Sequence, residues 1–97
     1  MFFSLPFADH LFSRSKVSFN QKDDSFLVLT PDRKHVLELK DVAFSIWKNL
    51  AKPISFEDLL KKLKKEYDVS EEELEKDLKD WLKQALKEKI IEKSSKT

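Results

Sequence analysis

Not one of the 97 residues of this chain is glycine. Glycine takes positive φ at no steric cost, which is why tight turns and helix C-caps normally rely on it. This chain must turn without it, and a glycine-rich phosphate loop is excluded outright. Its turns have to rest on proline and on short polar side chains, so those residues give the clearest punctuation.

Around them the hydrophobic period is legible. Residues 15–20 ("SKVSFN") alternate, with Val17 and Phe19 on one face, and predict a short strand. "QKDDS" is a polar connection. "FLVLT" is apolar on both faces, as a central strand is. Pro31-Asp32-Arg33-Lys34 reads as a turn, with proline presetting the first turn dihedral. "HVLELK" alternates again, so Leu37 and Leu39 face inward while Val36 and Glu38 face outward. Three strands with short connections form an antiparallel meander whose first and third strands are edges.

From Asp41 the period becomes helical. Ala43, Ile46, Trp47 and Leu50 share one stripe, and Pro53 stops the helix. Ser55 with Asp58 opens a second helix carrying Phe56, Leu59, Leu60, Leu63 and Tyr67. Ser70 with Glu73 makes a capping box for a third, which turns Leu74, Leu78, Trp81, Leu82, Ala85 and Leu86 inward. Acids in its first turn and lysines near its end agree with the helix dipole. Ile90 and Ile91 close the domain. The predicted class is α+β, three strands and then three helices. Residues 1–14 form an N-terminal arm, 15–92 the domain and 93–97 a flexible tail, with the whole stretch from Glu92 frayed.

Charge and composition narrow the function. Nineteen basic and eighteen acidic residues leave a net charge of +1. Through Leu50 there are seven basic and six acidic residues, and twelve of each follow. No basic field exists to hold a nucleic-acid backbone. Without cysteine there is no disulfide framework, thiolate metal site or Cys nucleophile. The apolar opening "MFFSLPFADHLF" lacks a basic n-region and is broken by Pro6, Asp9 and His10, unlike a signal peptide. No stretch reaches the length of a membrane span, and the cytoplasm is the expected compartment.

Catalysis finds no support. His10 and His35 stand alone, without the partners a triad or metal site needs. The carboxylates from Glu71 to Asp80 read as a solvated helix face with lysine partners four residues away. No metal or cofactor is expected. Trp47 falls mid-stripe and reads as core. Trp81 lies at the margin of its stripe, where it is either core or the wall of a groove. Residues 36–40 would offer unpaired N–H and C=O groups along a sheet edge, partly blunted by Lys34, Glu38 and Lys40. Such an edge is either protected or a docking strip for an extended segment.

Three stretches taken in order resemble the PqqD family, the peptide chaperones of pyrroloquinoline quinone biosynthesis, and the wider class of precursor-peptide recognition elements. "KVSFNQKDDSFLVLTPDR" is similar to the family's first hairpin. "VLELKDVAFSIW" is similar to its strand-into-helix signature. "SFEDLLKKLKKEYDVSEEELEKDLKDWLKQALKEKII" is similar to its closing helices. The chain departs from the family at turns. Lys40 replaces the usual asparagine before the first helix, so that Asp41 takes the N-cap. Lys52-Pro53 replaces Asp-Gly, and Lys89 replaces a glycine before the final apolar pair.

The resemblance implies a winged-helix-like fold in which a precursor's leader adds as a fourth strand beside the third, in a groove walled by the third helix. It implies a non-enzymatic chaperone for a PqqA-like peptide that presents its core to a PqqE-like radical S-adenosylmethionine enzyme. The expected peptide-binding residues are the backbone of Val36, Leu37, Glu38, Leu39 and Lys40, with Leu74, Asp77, Leu78 and Trp81 shaping the groove. A winged-helix nucleic-acid binder is the rival. Its recognition helix would carry as many acids as lysines, which phosphates repel.

Overall fold

A computed structural model describes residues 10–95. Six strands and three helices run in the order β1 (His10–Arg14), β2 (Phe19–Lys22), β3 (Ser25–Leu29), β4 (Val36–Lys40), α1 (Val42–Asn49), β5 (Ile54–Ser55), α2 (Phe56–Glu66), α3 (Glu71–Lys87) and β6 (Ile91–Ser95). They form two three-stranded antiparallel sheets, ordered β2-β3-β4 and β5-β1-β6. The α+β class holds, but a second sheet accompanies the expected meander.

In the meander, β3 is the central strand. Its register pairs Phe26 with Leu39 and Val28 with Leu37. Those four side chains face the helices, with Phe26, Val28 and Leu39 buried and Leu37 half-buried. The 31–34 turn closes as its sequence suggests. Arg33 N–H donates to the Thr30 carbonyl at 2.8 Å across Pro31-Asp32. The Thr30 hydroxyl and the Lys34 N–H both donate to Asp32 Oδ1, at 2.6 and 2.9 Å.

The first strand of the meander lies further along than its alternation indicated. Gln21 and Lys22 belong to the ladder, opposite Phe26 and Ser25. Only Asp23 and Asp24 are left for the turn, because pairing continues as close to a hairpin turn as the backbone permits.

Two further readings are corrected. His10–Arg14, placed in the N-terminal arm, is a strand that inserts a fully buried Phe12 into the core. Ile91–Ser95, placed mostly in a frayed tail, pairs along its full length with β1, from Arg14 opposite Ile91 to His10 opposite Ser95. Apart from Ile91 the β6 sequence is polar, so its strand character comes from the partner and not from its own pattern. Residues 1–9 of the arm lie outside the described residues.

Both capping serines act as expected. Ser55 Oγ accepts from Asp58 N–H at 3.1 Å, and Ser70 Oγ accepts from Glu73 N–H at 3.2 Å. Asp41 does stand at the N-cap of α1, but its side chain makes no capping bond. Its φ of 54° and ψ of −123° point the chain sharply out of β4. The Tyr67 hydroxyl holds that corner, donating to the Asp41 carbonyl at 3.0 Å and lying 2.8 Å from Ser45 Oγ.

A single hydrophobic core spans both sheets. Trp47, Ile46, Leu50, Phe56, Leu59, Leu63, Leu74, Leu78 and Leu82 are all essentially inaccessible to solvent. Arg14 ties its two halves together. The guanidinium donates from Nε and Nη2 to the Trp47 carbonyl at 3.0 and 2.8 Å, satisfying the C-terminal end of α1. It also stands over the rings of Phe19 at 4.8 Å and Trp47 at 5.1 Å. A residue of one sheet thus closes against the helix and aromatic cluster of the other.

Candidate functional site: an open sheet edge beside a helix-walled groove

β4 is an edge strand of its sheet among the described residues, and the register fixes which of its backbone groups are paired. Thr30 N–H donates to the His35 carbonyl at 2.9 Å, so Thr30 and His35 form a hydrogen-bonded pair. Hydrogen-bonded and non-hydrogen-bonded pairs alternate along an antiparallel ladder. Leu37 and Leu39 therefore exchange bonds with Val28 and Phe26, while Val36, Glu38 and Lys40 occupy the intervening positions. The N–H and C=O groups of those three residues point away from β3. Bonding on the far side of the sheet agrees: Leu29 N–H donates to the Ser18 carbonyl at 2.9 Å, away from β4.

Beside this edge lies a groove of about 190 Å³. Leu37, Glu38 and Leu39 form one wall, Trp81, Gln84, Ala85 and Glu88 the other, and Ile90 closes the end. The helical wall follows from spacing, since residues 81, 84, 85 and 88 lie at i, i+3, i+4 and i+7 and share a face of α3. The volume falls below the roughly 300–1,000 Å³ of small-molecule sites. Its lining is mostly apolar, with Glu38 and Glu88 as the charged groups. Such a space suits side chains projecting from an added strand better than a cofactor.

The end of the groove is set by how α3 stops. Ile90 N–H donates to the Ala85 carbonyl at 3.1 Å and Lys89 N–H to the Leu86 carbonyl at 3.1 Å, with Lys89 at φ 63°. That is the bonding of a Schellman cap, which folds the C″ residue back against the helix. Here the C″ residue is Ile90.

The residues picked out in the sequence separate into groups. Leu37, Glu38, Leu39 and Trp81 line the groove together, with Trp81 half-buried. Val36 and Lys40 flank it on the same strand, their side chains exposed on the other face of the sheet. Asp77 is exposed one helical turn before Trp81 and does not line the groove. Leu74 and Leu78 are fully buried and seat α3 on the core, so they do not present a surface to a peptide. Gln84, Ala85, Glu88 and Ile90 were not picked out as site residues. Extending the face of Trp81 by seven residues would have found the first three.

Among the described residues no group of three or more His, Asp or Glu side chains could hold a metal ion. None of their helices is long and apolar enough to cross a membrane.

The architecture defines a small α+β domain with a sheet edge open to strand addition and an apolar groove alongside it. The chain matches the profile of coenzyme PQQ synthesis protein D (PqqD) over residues 26–91, and it belongs to that family. A solved structure described as TbiB1 in complex with the TbiA(beta) leader peptide is also similar, with a TM-score of 0.73 and 25% sequence identity. That similarity covers 82% of this chain and 94% of the other. No curated protein matches the chain.

Proposed function

We propose that this protein is a peptide-recognition element that binds the leader of a ribosomally made precursor by strand addition along β4. Membership of the PqqD family and likeness to a structure that holds a leader peptide support precursor recognition. The observation that carries the binding mode is the coincidence of outward backbone groups at Val36, Glu38 and Lys40 with the groove under Trp81. Backbone bonds would supply affinity, and the groove would select the peptide's inward side chains. The finer reading is that the precursor is PqqA-like and is presented to a PqqE-like radical S-adenosylmethionine enzyme, which carries the chemistry. The protein itself acts without catalysis or cofactor.

Titrating a PqqA-like leader peptide into wild type and Trp81→Ala, with thermal melts of both, tests the reading. Truncating a ring at the centre of an interface commonly costs about 2 kcal/mol, roughly thirtyfold in Kd. The variant should lose that much binding while its melting temperature changes little. Unchanged binding with a much lower melting temperature would make Trp81 a core residue and refute the groove.

A further inference from the structure

A second surface lies away from β4 and α3. The α1–β5 connection and α2 enclose a hollow of about 420 Å³ lined by Asn49, Lys52, Pro53, Ile54, Asp58, Lys61, Lys62 and Lys65. Four lysines and one aspartate converge there, on an apolar floor of Pro53 and buried Ile54. The same helix shows what a paired lysine looks like, since Lys64 bridges to Glu71 at the start of α3. Lys52, Lys61, Lys62 and Lys65 form no ion pair among the described residues, although Asp58 lies three and four positions before Lys61 and Lys62. Like charges at i, i+4, such as Lys61 and Lys65, oppose the helix that carries them. An external anion would relieve that repulsion.

We infer that this hollow docks an acidic segment of a protein partner, at a site separate from the leader groove. The two sites share no residue, and their charges are opposite. The groove bears Glu88 on its helical wall, with Glu38 beside it bridged to Lys40 at 3.7 Å, while the hollow bears an excess of three positive charges that draws an acidic chain in. The floor of Pro53 and Ile54 favours a polypeptide, whose acids come interspersed with apolar side chains. A nucleic acid would need a longer basic track to follow its phosphates, and Glu57, Glu66 and Asp68 interrupt one here. Leader and acidic partner could therefore be held at the same time. The inference does not rest on the leader reading.

The test is an NMR titration of the full chain with the synthetic peptide Glu-Glu-Glu-Leu-Glu-Glu-Glu, with inorganic phosphate and a short DNA duplex as parallel probes. The peptide should shift the amides of Lys52, Ile54, Lys61, Lys62 and Lys65, leave Val36 to Lys40 unmoved, and bind more weakly as salt is added. The double substitution Lys61→Glu/Lys65→Glu should weaken that binding about tenfold or more, because opposed charges are replaced by like ones. Both positions are exposed, so an unchanged thermal melt will show that the variant remains folded. No shift at the lysines, equal shifts with phosphate alone, or tighter binding of the duplex would each overturn the inference.

Discussion

Arg33, Asp41 and Lys89 hold φ of 63°, 54° and 63°, a region that a side chain with a Cβ enters at a steric cost. In a chain without glycine that cost has nowhere else to go. Lys89 occupies the left-handed C′ position of the α3 cap, where the resembled family has glycine. Relieving it is worth about 1–2 kcal/mol, offset by roughly 0.5–1 kcal/mol for the greater freedom of glycine in the unfolded chain. Lys89→Gly should therefore stabilise the fold by about 0.5 kcal/mol or a little more, raising Tm by a few degrees. Lys83→Gly, in the exposed middle of the same helix, should cost about 1 kcal/mol. Thermal denaturation of the pair checks the opposed signs, and a destabilised Lys89→Gly would refute the cap.

Asp32 shows the other glycine-free device, a side chain that organises a turn. The bond from the Thr30 hydroxyl, and then that from the Lys34 N–H, hold its carboxyl below the usual 3.8. A depressed folded-state pKa stabilises the turn above the unfolded value, and that stability is lost as pH falls through the folded one. In an NMR pH titration the Lys34 amide should report a transition with its midpoint below 3.8. Asp32→Asn should abolish it, and a midpoint at or above the ordinary value would contradict the bonding.

Among the elements, those with their own periodicity were legible and those defined by a distant partner were not. The stripes of α2 and α3 and their capping serines stand in the sequence because helix pairing is local. β3 stands there as a run apolar on both faces, and β4 because Leu37 and Leu39 alternate with Val36 and Glu38. β1 offers one deeply buried residue and β6 is mostly polar. Their pairing brings His10 opposite Ser95, a separation across the chain that no local pattern can encode.

Arg14 was likewise unreadable as a structural residue, since its partners lie 33 positions away in the carbonyl of Trp47 and on neighbouring rings. Its planar fork makes two bonds to one oxygen while stacking, which an ammonium cannot reproduce. Burial pushes the Arg14 pKa down from its ordinary value, and the group stays charged at neutral pH. Arg14→Lys should lower stability by about 1–2 kcal/mol, measured by urea denaturation, through lost bonds to the helix terminus. An effect within about 0.5 kcal/mol, as for an ordinary surface change, would show that the clamp is dispensable.

For the molecule as a whole, the two sheets have unequal work. The β5-β1-β6 sheet is tied into the core, whereas the β2-β3-β4 sheet leaves β4 open beside α3. The position of that edge could be read from the order of strands, and Trp81 from the margin of its helix. Which backbone groups are open could not, because parity depends on hairpin register, and register depends on how the 31–34 turn closes.

With the register in hand, residue-resolved amide exchange with and without leader peptide tests strand addition directly. In the free protein Leu37 and Leu39 should exchange slowly, and Val36, Glu38 and Lys40 fast. Saturating leader should slow Val36, Glu38 and Lys40 while Leu37 and Leu39 change little, because the added strand bonds the vacant side of the ladder. If the leader binds and those three amides remain fast, β4 is not where it docks.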